Sequence, residues 1–261
     1  SSLTQITIPS SVTSIGYEAF YECSSLTQIT FEIPSSVTSI GKYAFSDCSS
    51  LTQITIPSSV TSIGDGAFFG CTSLDTFKII PFTKKLIEYY DNKFLLCKSN
   101  PNKEIYDTLV WANPKINTII IPTFINIIGE GAFRKCSSLT QITIPSSVTS
   151  IRNSAFSECS SLTQITIPSS VTSIEYSAFS GCSSLTQIII PSSVTSIGNS
   201  AFRECSSLTQ IIIPSSVTLI ESYVFRGCSS LTQIIIPSFV TSIRFSTFRE
   251  CSSLTQITIP S

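Results

Sequence analysis

The chain has 261 residues, of which 12% are charged, and its formal net charge is -1, with no histidine and no methionine. A charged share about half the usual one, with no concentrated field of Lys and Arg, argues against nucleic acid as a partner. No apolar run approaches the ~18 residues needed to cross a bilayer, and the lack of histidine excludes the Ser-His-Asp triad, the Cys-His pair and most zinc sites.

In chain order, the first element is SSLTQITIPS from Ser1, and the same ten letters close the chain from Ser252. Cysteine gives the ruler for its recurrence: Cys136, Cys159, Cys182, Cys205, Cys228 and Cys251 fall every 23 residues. Cys23, Cys48 and Cys71 continue the series, with the first gap longer by two where Phe31 and Glu32 interrupt the phrase. A fixed period of this size marks a solenoid of one coil per repeat, roughly IPSSVTSIxxxAFxxCSSLTQIT, and predicts one elongated domain. The coils span residues 1–74 and 119–261.

Within a coil, LTQITI reads as a strand, with Leu139, Ile142 and Ile144 turned inward, Gln141 and Thr143 outward, and Pro145 as its end. Stacked coils predict a parallel sheet with strands about 4.8 Å apart. A second apolar set, Val148, Ile151, Ala155 and Phe156, ending in Cys159, closes the core from behind. The Ala-Phe-x-x-Cys piece is too short for a stable helix and predicts one 3₁₀ or α turn per coil, with Gly16, Gly41, Gly64, Gly129 and Gly198 marking the bend into it. At the corner, Ser146 and Ser147 have two readings: hydroxyls that satisfy buried backbone, or plain solvated turn serines.

Between the two series lies residues 75–118, which hold the only tryptophan, Trp111, and most of the lysines. From Cys71 to Cys136 is 65 residues, four short of three coils of 23 (69), so the segment is expected to replace coils with longer strands and a hairpin-like excursion around KSNPNKE. Tyr89, Tyr90, Tyr106 and Trp111 are candidates there for a secondary contact surface.

The unit IPSSVTSIGxxAFxxCSSLTQITIP resembles the BspA-like class of leucine-rich repeats, over Ser1 to about Lys78 and about Ile119 to Ser261. The resemblance implies an α/β repeat solenoid, mostly β by content: a right-handed coil with a parallel concave sheet and short 3₁₀ or α turns on the convex side. It also implies an extracellular or cell-surface protein of the kind found in mucosa-dwelling bacteria and protozoan parasites, acting in adhesion. The Asn or Cys expected after the strand is absent, and Pro-Ser-Ser occupies that corner. A chain that starts without Met and stops in mid-coil is read as an excerpt of a longer protein, which leaves its anchoring open.

Nine of the ten cysteines share one place in successive coils, where parallel side chains rarely offer disulfide geometry, so a buried column of free thiols is expected, with Cys97 as the odd one. No cofactor, metal site or catalytic group is expected. The outward strand places are the candidate ligand face: Gln187, Gln210 and Gln233, expected to form an amide ladder with Gln141, Gln164 and Gln256, and Ile189, Ile212 and Ile235 where other coils carry Thr. The isoleucine stripe is either a protein-binding patch or drift between two β-formers. Arg203, Arg226 and Arg249 form a column that is either a solvated edge offset by Glu204, Glu221 and Glu250 or a contact for an anionic glycan. Two functions are therefore carried: a non-catalytic module that binds host-surface or matrix protein, and a structural stalk whose ends lack distinct caps and self-associate head to tail. Immune-type sensing lacks any signalling segment.

Overall fold

Repeating a β-rich phrase at a constant interval lets each copy pair with the next in one register, so that each side chain meets its own kind. The computed structural model describes residues 2–80, 87–91, 93–99 and 105–259, in two units: Ser1–Pro114 with Gly129–Ala132, and Lys115–Ile128 with Phe133–Ser261. In the first unit Gln5–Ile8, Gln28–Phe31, Gln53–Pro57 and Thr76–Ile80 make a parallel sheet, with Gln5 opposite Gln28 and Gln28 opposite Gln53. A second parallel ladder is built from the two-residue strands Ser14–Ile15, Ser39–Ile40 and Ser62–Ile63.

In the second unit this short ladder is unbroken over six coils, from Ile127–Ile128 to Ser242–Ile243. The longer strands instead come in pairs: Thr118–Ile120 with Gln141–Thr143, Gln164–Thr166 with Gln187–Ile189, and Gln233–Ile235 with Gln256–Thr258.

The core follows the repeat. Leu162, Ile165, Ile167, Val171, Ile174, Ala178, Phe179 and Cys182 are all buried. The phenylalanines stack nearly parallel, Phe133 to Phe156, Phe179, Phe202, Phe225 and Phe248 in turn, with centroids 5.0 to 5.9 Å apart. All ten cysteines are free, and the thiol of one coil donates to the Phe carbonyl of the preceding one, as Cys159 does to Phe133 at 3.0 Å and Cys182 to Phe156 at 3.1 Å.

Hydroxyls join the coils at other fixed places. Ser147 and Ser193 donate to the carbonyls of Ile125 and Val171 at 2.8 and 2.7 Å, and Ser170 and Ser216 to those of Val148 and Val194. The second serine of the corner is thus a lateral hydrogen bonder, while the first, as at Ser146 and Ser169, is exposed to solvent. Thr27, Thr140, Thr186 and Thr255 likewise donate to the carbonyls of Thr4, Asn117, Thr163 and Thr232.

The expected α/β class, with a 3₁₀ or α turn in each coil, is corrected: no helix occurs among the described residues. The Ala-Phe-x-x-Cys piece is a run of tight turns whose N–H groups alternate in direction. Ser154, Phe156 and Glu158 donate to Tyr176, Ala178 and Ser180 of the next coil, while Ala155, Ser157 and Cys159 donate three residues back within their own. A helix would send every N–H back along itself. Two left-handed residues per coil enforce the alternation, at φ 54 for Ser154 and 61 for Glu158. The glycine preceding the turn is not a left-handed position. At Gly64 it answers a close approach, since a Cβ there would lie 2.4 Å from the Lys42 backbone nitrogen.

Residues 87–112 depart from the coil pattern. Ile87–Tyr90, Phe94–Cys97 and Thr108–Ala112 are antiparallel, with Tyr90 opposite Phe94, Thr108 opposite Cys97, and an irregularity between Leu109 and Trp111. Phe94, Leu95, Leu96 and Cys97 are all buried, so this segment fills core rather than decorating it. Ser99 clasps the buried Asp107 carboxylate with its N–H and its hydroxyl, both at 2.7 Å. Of the KSNPNKE excursion, residues 100–104 lie outside the described residues.

Burial pushes the thiols of Cys48, Cys97 and Cys182 up from 9.0 to about 12. Below pH 9 these groups are protonated whether the chain is folded or not, and their contribution is fully present. Between 9 and 12 only the unfolded chain releases the proton, so each such thiol removes up to ~1.4 kcal/mol of stability per pH unit. The urea midpoint is expected to fall as pH rises above 9, with native thiols inert to iodoacetamide at pH 8; a midpoint constant to pH 11 would refute the assignment.

Candidate functional site

A strand fixed on one side by the core leaves only alternate side chains free, and here those are the Gln and Thr or Ile of LTQITI. Gln187, Gln210 and Gln233 are exposed, as are Ile189 at 53%, Ile212 at 81% and Ile235 at 61%. The intervening Ile188, Ile211 and Ile234 are buried. Ile212 and Ile235 stand directly opposite in parallel pairing, and the stripe is bounded by Thr166 opposite Ile189 and Thr258 opposite Ile235. Three neighbouring apolar side chains on a face of amides and hydroxyls make a contiguous patch rather than singly scattered exposed residues.

Between the coils of Ile189 and Ile212 the long ladder is open, since Gln187–Ile189 pairs with Gln164–Thr166 and not with residues 210–212. A shallow depression of about 180 Å³ lies there, walled by Gln187, Ile189, Ile190, Gln210 and Ile212. The expected amide ladder is not made. Among the described residues the column's side-chain hydrogen bond is Gln256 Nε2 donating to Thr258 Oγ1 at 3.3 Å. The amides along the patch are left for solvent or a partner.

The arginine column is paired rather than bare. Arg203 meets Glu204 at 2.7 Å, Arg226 meets Glu250 at 3.2 Å and Arg249 Nε meets Glu250 at 3.2 Å, while Glu221 pairs with Arg244 outside the column. Hydrogen bonding to Arg226 holds the Glu250 carboxyl below its ordinary range, and Arg226 is raised in return. These are exposed pairs of small energetic weight. In the first unit, Trp111 is buried at 4% and packs edge-on against Phe77, with centroids 4.7 Å apart, so it serves the core and offers no surface. Tyr106 is half-buried beneath the Lys98 ammonium and Tyr90 is half-buried, while the side chain of Tyr89 lies outside the described residues.

Several surface features were not foreseen. Ile120, 74% exposed, occupies the same outward place as the stripe in the degenerate phrase INTIII, and aligning that phrase with LTQITI would have shown it. In the first unit the Phe31-Glu32 insertion ends the pairing of the second and third strands at Ile29 with Ile54, leaves Ile33 59% exposed, and opens a depression of about 160 Å³ among Gln28, Thr30, Ile33, Gln53 and Thr55. Ser59 Oγ, one coil after the insertion, is buried without a hydrogen-bond partner.

Also in the first unit, the buried Glu130 accepts from the Tyr43 hydroxyl and forms an ion pair with Lys42 at 3.0 Å. Burial, then this carboxylate, pushes Tyr43 up to about 12. No local signal joins residues 88 and 87 positions apart. Among the described residues no group of three or more Cys, Asp or Glu is placed to hold a metal ion, and no helix is long and apolar enough to cross a membrane.

The family described as BspA type Leucine rich repeat region matches residues 1–102, 103–229 and 174–261. No curated protein matches the chain. Among solved structures, a leucine rich cell surface protein from Faecalibacterium prausnitzii is 27% identical, covering 99% of this chain and 79% of its own, at a TM-score of 0.57. A leucine-rich repeat protein from Bacteroides ovatus is also 27% identical, with 98% and 69% covered and a TM-score of 0.56. The pneumococcal vaccine antigen PcpA, 22% identical with 100% and 68% covered, shares the fold at a TM-score of 0.79.

A side chain as exposed as Ile212 has no packing to lose. Ile212→Lys is expected to change the unfolding free energy measured in urea by less than ~0.5 kcal/mol, whereas Phe179→Ala in the ring stack should cost ~3–5 kcal/mol. A comparable loss from both would mean that the stripe is part of the core.

Proposed function

The chain belongs to the BspA type leucine-rich repeat family, and from that premise we propose that it is a non-catalytic extracellular binding module whose strand face at Ile189, Ile212 and Ile235 meets a protein of a host-cell surface or matrix. One observation carries the reading: among the described residues, three adjacent coils carry an exposed isoleucine at the fifth strand place, and an opening in the ladder falls between the first two of them. Amides of Gln187, Gln210 and Gln233 flank the stripe and supply donors and acceptors around an apolar centre, the composition usual at protein contacts. The similarity to a cell-surface protein of Faecalibacterium prausnitzii supports the location.

The face carries no charge in these coils, so recognition there rests on shape and apolar burial, with weak dependence on salt. The experiment compares binding of the chain to epithelial cells and immobilised matrix proteins with that of the triple variant Ile189→Lys, Ile212→Lys, Ile235→Lys, after circular dichroism has shown the variant folded. Saturable binding that falls more than ~10-fold in the variant supports the reading, with a contribution of at least ~1.4 kcal/mol from the stripe. Saturable binding equal in both would move the contact elsewhere, and binding by neither would end the adhesion proposal.

A further inference from the structure

We infer that the opening in the long ladder sets what the stripe selects: it takes the carboxamide of an Asn or Gln side chain of the partner, inserted between Ile189 and Ile212. This rests on the proposed contact of the face with a protein and adds the chemistry recognised there. Around the opening the two coils stay joined. Phe179 and Gly181 donate to the carbonyls of Ala201 and Arg203 at 2.9 and 2.7 Å, Ser207 donates to that of Ser183 at 3.1 Å, and Ile197 pairs with Ile220. The break is therefore local to the strand.

Two backbone bonds that other coils make are missing there. At the start of the strand the Thr N–H donates to the Thr carbonyl one coil back, as Thr186 does to Thr163 at 2.9 Å and Thr232 to Thr209 at 3.4 Å, and their hydroxyls reach the same carbonyls. Among the described residues neither the N–H nor the hydroxyl of Thr209 reaches Thr186. At the end of the strand the Ile N–H donates forward to the next coil, as Ile167 does to Ile189 at 3.3 Å and Ile236 to Thr258 at 2.8 Å, but Ile190 does not reach Ile212. Ile190 is half-buried, where Ile167, Ile213 and Ile236 at the same place are 2%, 5% and 1% exposed. The break between Thr143 and Thr166 is milder, since Thr163 still donates to Thr140 at 3.4 Å.

Each wall of the opening thus offers a donor and an acceptor: the Ile190 N–H and the Thr186 carbonyl on one, the Thr209 N–H and hydroxyl and the Ile212 carbonyl on the other. Water can serve such groups, and a ligand gains by displacing it when it repeats the water's bonds. A carboxylate accepts without donating, and an ammonium or guanidinium donates without accepting. No charged side chain lies on this face to compensate either once it is desolvated. A neutral carboxamide does both. Placed between Ile190 and Ile212, it accepts from the first and donates to the second in place of the missing bond. Its methylene stem then lies against the Ile189 and Ile212 side chains that wall the depression.

Nuclear magnetic resonance of the nitrogen-15-labelled 261-residue chain tests this, with butyramide, butyrate and butylammonium as probes. Butyramide is expected to shift the Ile190 amide signal saturably and to bind more than ~10-fold more tightly than either ion. The double variant Ile189→Thr, Ile212→Thr restores the residue that other coils carry, so it is expected to fold, and it should weaken butyramide by ~4-fold or more. In the free protein the Ile190 and Thr209 amides should exchange with solvent more than ~10-fold faster than those of Ile167 and Thr186, whose bonds are made. Equal protection of all four would mean that the ladder is closed in solution and would overturn the inference without any variant. Equal affinity for the three probes, or butyramide binding unchanged in the double variant, would overturn it as well. Amide selectivity in a chain that binds neither cells nor matrix supports the site and overturns the proposed partner, whereas stripe-dependent binding to cells without amide selectivity overturns this inference and leaves that reading standing.

Discussion

Half of the backbone donors in each turn are given to the coil that follows, and this sharing constrains everything else in the two units. A turn that closed on itself would be indifferent to its neighbour. One that alternates, as residues 154–159 do, needs the next coil to present carbonyls at matching height, and hence to have the same backbone shape. The two left-handed positions must then recur whatever side chain they carry. They hold Glu18, Tyr43, Ser154 and Tyr223 at one place and Glu22, Asp47, Lys135 and Glu158 at the other, as well as glycines. A left-handed L-residue costs roughly 1–2 kcal/mol, and the inter-coil bonds that depend on it contribute ~0.5–1.5 kcal/mol each, so the strain is offset only by stacking. An isolated coil has no such return, which is why stability in a repeat array resides in its junctions.

The composition follows from the same constraint. At the core of each junction like meets like, and a charge placed in every coil would repeat its own sign at strand spacing, about 4.8 Å. Hydroxyls, thiols and amides can stand in columns without that penalty. The serines at the corner, the threonines beside the strand and the cysteines beneath the phenylalanines each donate to a carbonyl one coil back. From Phe133 on, charges are confined to the turn edge, where Arg134 with Glu158 and Arg226 with Glu250 pair across adjacent coils.

The period, the inward places of the strand, the second apolar set and the free cysteines were legible because each is a side-chain pattern repeated many times. The turn was not. Short length suggested a helical turn, but its shape is set by bonds to another coil, and Glu, Tyr, Ser and Lys carry no sign that they sit at positive φ. Trp111 was misplaced for a related reason: in a segment without the repeat there is no internal comparison, and a lone aromatic reads equally as contact or as core. The outward places of the stripe needed only the alternation of a strand, whereas the opening beside Ile189 arises from pairing that one coil's letters do not express. Glu130 with Lys42 and Tyr43 is a long-range packing event beyond any local pattern.

A backbone that must be the same in every coil leaves few places where one coil can differ from the next. Inward positions are held by the core, lateral hydroxyls by the neighbouring carbonyl, and turn residues by their conformation. What remains is the outward pair on each strand and the edge of the turn, and it is on the outward pair that Thr gives way to Ile in three successive coils. Because the spacing is that of a sheet, one substitution per coil becomes a continuous stripe, so a recognition surface can be extended or erased coil by coil without touching the core. The stripe and the ladder opening lie on the same coils, where Ile189 and Ile212 wall a shallow depression. That run of neighbours, rather than hydrophobicity alone, separates these residues from Ile120, which is exposed at the same strand place but is followed in the next two coils by Thr143 and Thr166.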